Sequence, residues 1–320
     1  MDFTDASGRP DGSGRSDPAQ SDAVESRGKS GAGEVYSHSR LSSFENCPQK
    51  FQYRYVWKIP AESESIEGFV GKRVHEVLEK LHRTADGGRV PTLPKVLWRF
   101  QQMFDEAYDP TKVRIVREGT PLSFYRELGE HCIANYYHDH YPFDRDQTLA
   151  LEERVTLDLD GSGRYRLQGF IDRIARAPDG AIEIQDYKTS ARVPSQRQLD
   201  EDRQLALYQM GIGARFGEGK PVRLVWHFLR KGRTLVSTRS PKQLEALGTQ
   251  TRTLIDRIRD ERVFAPKKSA LCGWCEYREG CPVSPNRSGK VEPYTRPPAG
   301  GRRSTPAGAD KDQLAFTFGG

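Results

Sequence analysis

The chain has 320 residues, a net charge of +6, a pI near 9.0 and only 35% hydrophobic residues. Five cysteines are too few for a disulfide-stapled secreted domain, and no apolar run reaches the roughly 18–20 residues that span a bilayer. The opening residues lack the basic and apolar regions of a secretory signal. We therefore expect a cytoplasmic protein without a membrane partner, and exclude a small secreted one.

The two ends of the chain explain its low apolar content. Residues 1–33 and 284–320 hold 19 of the 50 Gly and Pro residues in only 70 positions. Such segments bury too little apolar surface to offset the entropy cost of ordering them. We expect two disordered tails and one folded, basic domain at residues 34–283.

The first half of this domain is predicted to be helical. Either Ser37 or Ser39 can cap a first helix, and Pro48 should begin a second, aromatic-rich turn. Apolar residues then recur every three or four positions from Ser65, which is typical of an amphipathic helix. Two further helices are expected at about 94–108 and 121–140.

The hydrophobic period then becomes alternating, as in strands. Residues 149–159 and 165–174 flank a Gly-rich turn and predict a hairpin, and Ala181–Tyr187 predicts a third strand. Strands flanked by helices indicate an α/β or α+β fold. The later elements are predicted as a helix at about 197–215, strands at 222–229 and 234–238, and a helix at about 241–260.

An acidic and a basic residue stand together at the end of the third strand. Side chains alternate across a strand, so Asp186 and Lys188 should share one side while Tyr187 points away. Asp172 on the preceding strand can lie beside Asp186, and two converging carboxylates suit Mg²⁺ or Mn²⁺. Lys188 could then hold a water molecule or an oxyanion during phosphodiester attack. By itself, the D-x-K spacing also fits a solvated strand edge.

Four short motifs occur in order around these residues. They are Gly71-Lys72-Arg73-Val74-His75, Gly169-Phe170-Ile171-Asp172, Asp186-Tyr187-Lys188-Thr189 and Gln204-Leu205-Ala206-Leu207-Tyr208. Through these four motifs and their order, the chain resembles the PD-(D/E)XK nuclease superfamily, specifically its RecB-like branch. The resemblance covers roughly residues 36–283. The resemblance implies a restriction-endonuclease-like core with a mixed central sheet flanked by helices. An N-terminal helical part and a cluster-stapled C-terminal segment would complete it.

The same resemblance implies a catalytic role for each motif residue. His75, Asp172 and Asp186 would hold Mg²⁺ or Mn²⁺, and Lys188 would position the attacking water. His75 falls next to an apolar stripe, so a buried core histidine is the alternative.

Two further positions follow from the resemblance. Gln204 and Tyr208 are neighbours on one helix face and would contact DNA or the residues around the catalytic site, with ordinary surface polarity as the alternative. The family often has an acid before the first hairpin strand. Glu152 and Glu153 both occupy this region, and the sequence does not show which of them corresponds to that acid. We choose Glu153.

The cysteines suggest a second cofactor. Cys272, Cys275 and Cys281 lie close in sequence, and Cys47 stands far upstream; four thiolates complete either a zinc site or an iron–sulfur cluster, which spacing cannot separate. The resemblance separates them, because some RecB-like nucleases place one cysteine before the core and three after it to hold a 4Fe–4S cluster. We expect such a cluster as a structural staple, and Cys132 as a small buried apolar residue.

These expectations define a function and its rival. We expect a metal-dependent DNA nuclease, acting as a single-strand exonuclease in repair or recombination. The chain has no G-x-x-x-x-G-K-[ST] motif, so a nucleotide-driven motor would have to be a helicase partner. The rival is a catalytically silent DNA-binding or scaffold module of a repair or CRISPR adaptation complex.

The last residues suggest one more partner. Gln313, Leu314, Phe316 and Phe318 resemble the short peptides that dock on the bacterial sliding clamp, although Phe stands where Leu is common. A tail with stray aromatic residues is the alternative.

Overall fold

The computed structural model describes residues 34–216 and 219–284. Apart from Ser284, both predicted tails lie outside these ranges, and so does the peptide proposed to dock on a clamp. None of the helices within the ranges has the length and apolar content that crossing a bilayer requires.

The N-terminal part is mainly helical, as predicted. Ser37 accepts a hydrogen bond from Arg40 N at 3.1 Å and caps the first helix, and Ser65 caps the third. The elements of this part are β1 (Val35–Tyr36), α1 (His38–Asn46), α2 (Pro48–Phe51), a π-helical turn (Gln52–Val56), β2 (Glu64–Ser65), α3 (Ile66–Asp86), α4 (Leu93–Ala107), β3 (Val113–Arg114) and α5 (Leu122–His140).

Most of the sheet and its remaining helices follow. The predicted hairpin and third strand are present, and the later strands lie within one residue of the predicted bounds. The elements are β4 (Gln147–Asp158), β5 (Arg166–Arg176), β6 (Ile182–Lys188), α6 (Gln196–Asp200), α7 (Gln204–Phe216), β7 (Val222–Phe228), β8 (Arg233–Ser237) and α8 (Pro241–Asp260), with short 3-10 turns at Leu229–Lys231 and Ala270–Trp274.

The main sheet has six strands and is mixed. Its order is β1-β5-β6-β7-β8, and β4 pairs antiparallel along β5. The β6–β7 pair is parallel, while β5–β6 and β7–β8 are antiparallel. The connection from β6 to β7 runs through α6 and α7, and a helical crossover of this kind is typical of parallel neighbours.

One predicted helix is divided in two. The expected helix at about 197–215 is α6 followed by α7, because the chain turns between Glu201 and Arg203. Asp202 accepts a hydrogen bond from Gln204 N at 2.9 Å and so caps the second piece. A short acidic side chain bonds readily to nearby backbone amides, which favours a helix start over a helix interior.

Two helical layers cover the sheet. Ile182 and Ile184 of β6 pack in a core with α7, whereas Tyr187 packs in the core formed by α3, α4 and α5. Because side chains alternate along β6, neighbouring residues pack against different helical layers on the two faces of the sheet.

The strands β5 and β6 separate at one end. Their pairing extends from Arg176–Ile182 to Arg173–Gln185 and stops there. Beyond this point Tyr187 N donates instead to the Asp172 carboxylate, at 2.7 Å. A side chain thus occupies the place of a ladder hydrogen bond and opens a gap in the sheet.

A close approach of α4 and α5 gives a test of the helical layer. A Cβ on Gly129 would lie 2.2 Å from Phe100 Cζ, whereas a Cβ on Gly213 in α7 would meet nothing within 4 Å. We predict that Gly129→Ala lowers the free energy of unfolding by about 1–3 kcal/mol through overpacking, measured by urea denaturation. Gly213→Ala, the control, should leave it unchanged or raise it by up to about 1 kcal/mol. If both variants changed the free energy of unfolding equally, the close approach of α4 and α5 described here would be contradicted.

Candidate functional site

Lys188 and Asp186 form a partly buried ion pair at the end of β6, with the Asp186 side chain buried. Lys188 Nζ lies 3.1 Å from Asp186 Oδ1 and 2.8 Å from Oδ2. Gln204, the first residue of α7, joins the two side chains: Nε2 donates to Asp186 Oδ1 at 3.0 Å, and Oε1 accepts from Lys188 Nζ at 3.0 Å. The amide therefore fixes the separation of the acid and the base.

The protonation states of this pair follow from burial and charge. Burial, with a contribution from the Asp172 charge, raises the pKa of Asp186 to about 6 despite the nearby Lys188. Burial would lower the pKa of Lys188, but the charge and hydrogen bond of Asp186 raise it above its ordinary value. Lys188 is thus a cationic hydrogen-bond donor and not a base.

His75 and Asp172 form a second, partly buried pair in the gap between β5 and β6. His75 Nδ1 lies 3.3 Å from Asp172 Oδ1, and Nε2 lies 2.9 Å from the Tyr187 carbonyl oxygen. Burial alone would lower the pKa of His75, but the charges of Asp172, Asp186 and Glu152 raise it to about 9. Burial would raise the pKa of Asp172, and His75 lowers it below its usual value.

A third acid completes this group, and it is Glu152. One ligand atom from each of His75, Glu152 and Asp172 lies within 4.8 Å of the others. Glu153, the acid named from the sequence, is not a member; it pairs with Ile171 in the ordinary ladder. Glu152 has φ of 49°, the left-handed region that costs a non-glycine residue about 1–2 kcal/mol.

The sequence could not distinguish these two acids. A register shift between Thr148 and Ala150 precedes Glu152 in β4, and the positive φ lies at Glu152 itself. Neither irregularity has a sequence signal such as glycine. Backbone strain of this kind occurs often at functional sites.

The donor set fits a divalent cation such as Mg²⁺ or Mn²⁺. The two carboxylates suit these ions, and the imidazole adds a nitrogen ligand of the kind that transition metals accept. A metal-binding histidine commonly donates its other N–H to a carbonyl, as His75 Nε2 can to Tyr187. Asp186 lies outside the close group of three. Its Oδ2 is buried and lies 2.8 Å from Lys188 Nζ, and because a carboxylate oxygen has a second lone pair, it retains capacity for a further ligand.

The motif residues Gly169 and Tyr208 are complementary in shape. A Cβ on Gly169 would lie 2.2 Å from Tyr208 Cε1, so only glycine leaves room for the ring. Tyr208 is 4% exposed and Gln204 7%. Both residues are therefore buried parts of the site's framework and not polar residues of the surface.

Asp202 is a residue that the motifs do not include. Besides capping α7 at Gln204, it lies close enough to Lys188 for its charge to raise the pKa of the lysine. Its position two residues before Gln204 was the available signal, because an Asp side chain readily bonds to the backbone N–H two residues further along the chain.

The four predicted cluster ligands line one cavity of about 660 Å³. Cys47 lies between α1 and α2, and the other three come from the C-terminal segment. Their sulfurs are not clustered: no three described cysteines have ligand atoms within 4.8 Å of one another. Tetrahedral zinc with Zn–S of about 2.3 Å would need sulfurs about 3.8 Å apart. Cys132 is fully buried in α5, as expected of an apolar residue.

Several side-chain contacts hold the C-terminal segment against the N-terminal helices. Glu276, only 12% exposed in its side chain, lies 2.8 Å from Lys50 Nζ and 3.3 Å from Arg54 Nη1. The Tyr277 hydroxyl donates to the Ile59 carbonyl at 2.9 Å. These contacts bring residues more than 200 positions apart into one wall of the cavity.

One family model matches nearly all of the described chain. It is that of the PD-(D/E)XK nuclease superfamily, and it matches residues 35–282. Together with the mixed sheet between helical layers, this match confirms the expected restriction-endonuclease-like fold. No curated protein sequence gives a match.

Two solved structures are similar at low identity. A candidate exonuclease from Eubacterium rectale is 15% identical, with a TM-score of 0.46 over 76% of this chain and 88% of that chain. The protein SSO0001 is also 15% identical, with a TM-score of 0.30 over 74% of this chain and 96% of that chain.

The strained acid gives a direct test of the metal site. We predict that Glu152→Gly keeps or raises the melting temperature of the metal-free protein, because glycine relieves the positive φ, while Mn²⁺ binding weakens at least about 10-fold. Glu153→Gly is the matched control. At that ordinary strand position, glycine should lower the melting temperature and leave Mn²⁺ binding intact. If Glu153→Gly weakens Mn²⁺ binding and Glu152→Gly leaves it intact, Glu153 is the ligand instead.

Proposed function

The chain belongs to the PD-(D/E)XK nuclease superfamily, and on this basis we propose that it is a metal-dependent DNA nuclease. One observation carries the proposal: the cationic Lys188 is held beside a buried carboxylate, next to a three-residue group that suits a divalent cation. Burying so many charged groups together is costly and is expected at a catalytic site.

The chemistry follows from the donor set. His75, Glu152 and Asp172 would hold Mg²⁺ or Mn²⁺, with Asp186 as a further ligand. A bound ion of this kind polarises a phosphate oxygen and lowers the pKa of a water molecule. Lys188 would donate a hydrogen bond to the attacking water or to the phosphate, where negative charge increases in the transition state.

The substrate we propose is single-stranded DNA, degraded from an end in repair or recombination. The basic balance of residues 34–283 supports binding to phosphates. Without a nucleotide-binding motif of its own, the chain would act on strands that a partner helicase has separated. The rival function, a silent DNA-binding or scaffold module, would retain the fold and lose the cleavage.

Cleavage of end-labelled single-stranded DNA tests the proposal. With Mn²⁺ the wild-type protein should cut, with EDTA it should not, and Lys188→Ala or Asp186→Asn should reduce the rate about 100-fold or more because each removes a preorganised charge. Lys95→Ala, the same change at an exposed position on α4, is the control and should cut at the wild-type rate.

Two outcomes would contradict the proposal in different ways. Persistent cleavage by both site variants would mean that another site performs the reaction. DNA binding without cleavage by the wild-type protein, under Mg²⁺ and Mn²⁺ alike, would favour the silent module.

We further propose a 4Fe–4S cluster in the cavity lined by Cys47, Cys272, Cys275 and Cys281. A multi-iron cluster holds its thiolates farther apart than a single zinc ion does, which suits four sulfurs that share a cavity without close contact. The lining also has six basic and three acidic side chains, and a positive surplus suits an anionic, thiolate-ligated cluster. The cluster would then staple the two ends of the nuclease domain.

Metal and sulfide analysis tests the cluster. Protein purified without oxygen should be brown and should contain about four iron and four sulfide per chain. Cys272→Ala should lose iron and sulfide and lower the melting temperature, because the staple is broken. Cys132→Ala should keep both and lose only the stability of a trimmed core residue.

Stoichiometric zinc without sulfide would reject the cluster. Equal loss of iron in Cys132→Ala would reject the choice of ligands.

The remaining proposals concern the ends of the chain. We propose residues 34–283 as the nuclease domain, preceded and followed by tails. Gln313, Leu314, Phe316 and Phe318, which lie outside the described residues, would dock on a sliding clamp. A short peptide on a flexible Gly- and Pro-rich linker would raise the local concentration of the nuclease at replicating or repaired DNA.

A further inference from the structure

We propose that Tyr136 and His82, both buried in the helical layer of α3 and α5, are positioning residues that set the metal affinity of the site. They would act through Tyr187, whose backbone bonds to both His75 and Asp172. The inference rests on the metal-dependent nuclease proposed above, and it adds two residues that belong to none of the four sequence motifs.

Tyr187 bonds to two of the three grouped ligands through its backbone. Its N–H donates to Asp172 Oδ2 at 2.7 Å, and its carbonyl oxygen lies 2.9 Å from His75 Nε2. The His75 ring also meets the Tyr187 ring edge to face, with centroids 5.7 Å apart. A shift of this one residue would therefore turn the imidazole and the carboxylate together.

The side chain of Tyr187 is anchored elsewhere. Its hydroxyl lies 3.2 Å from the Tyr136 hydroxyl, which lies 2.8 Å from His82 Nε2. All three side chains are buried, at 3% exposure or less. Burial and the charge of Arg173 lower the pKa of His82 to about 3, so the ring is neutral and can accept the hydrogen bond from Tyr136.

These bonds close a circuit through α3. His82 follows His75 by seven residues, which is two turns or about 10 Å of helix. From α3 the circuit runs through His75 to the Tyr187 carbonyl, through the two hydroxyls to His82, and back to α3. Tyr136 is fixed within it by stacking on His140, with ring centroids 4.0 Å apart, and by edge contact with His227 at 5.3 Å.

A closed, buried circuit restrains orientation more strongly than packing alone. Leaving a buried hydroxyl without a hydrogen-bond partner destabilises the protein, so the three side chains resist rotation. If Tyr136 loses its hydroxyl, Tyr187 and His82 both lose a partner. Tyr187 can then shift toward a new one, and its backbone groups move away from His75 and Asp172.

The experiment compares two neighbouring tyrosines in the full-length protein. Tyr136→Phe breaks the circuit. Tyr137→Phe is the matched control, because Tyr137 is also buried on α5 but its hydroxyl donates to the Pro91 carbonyl at 3.0 Å, outside the circuit. Mn²⁺ binding is measured without DNA from the electron paramagnetic resonance signal of the free ion, with melting temperatures alongside.

We expect Tyr136→Phe to weaken Mn²⁺ binding about 10-fold, the lower end of the range for partners of metal ligands, and Tyr137→Phe to bind like wild type. The Mn²⁺ concentration for half-maximal cleavage should rise by the same factor, with KM for DNA unchanged and kcat at saturating Mn²⁺ within about 2-fold of wild type. Tyr187→Phe removes the other hydroxyl of the Tyr136–Tyr187 contact and should weaken Mn²⁺ binding by the same factor. The test therefore remains valid if one of the two variants fails to fold.

Unchanged Mn²⁺ binding in Tyr136→Phe would overturn the inference, and so would equal weakening in Tyr137→Phe. If the wild type binds Mn²⁺ but does not cleave DNA, the proposed nuclease function fails while the circuit is still tested by binding.

Discussion

The structure depends on one constraint: four charged groups lie together largely out of contact with water, and each needs a partner of opposite charge. Removing an ion from water costs several kcal/mol, which only close pairing offsets. Lys188 is paired with Asp186, and His75 with Asp172. An ordinary closed sheet would leave no room for these pairs. The separation of β5 from β6, where the Asp172 carboxylate replaces a ladder bond, provides that room.

Helices on two sides of this opening position its charged side chains. On one side, α7 begins at Gln204, which bonds to both members of the Asp186–Lys188 pair, and its start is fixed by the Asp202 cap. On the other side, α3 supplies His75. Tyr187 lies between the layers: its backbone faces the charged groups, and its side chain enters the helical core. The helices are therefore part of the site's geometry as well as of its burial.

Much of this arrangement could be predicted from the sequence because it follows from periodicity and local capping. The helix from Ser65, the hairpin and the strand ending in Lys188 all have clear hydrophobic periods. Other features have no local signal. The choice of Glu152 over Glu153 depends on an irregular strand with a positive φ, and the spread of the cysteine sulfurs depends on how two distant segments pack. The break between α6 and α7 is an intermediate case, because Asp202 signals a cap only once the helix is known to end there.

The opening in the sheet is, in our proposal, a divalent metal site. Crystals soaked in Mn²⁺ and measured at a wavelength where manganese scatters anomalously would test it most directly. We expect an anomalous peak within bonding distance of His75 Nδ1 and the carboxylates of Glu152 and Asp172, with the His75 Nε2 bond to Tyr187 retained. An anomalous map with no peak at these three residues, in crystals that take up manganese elsewhere, would contradict it.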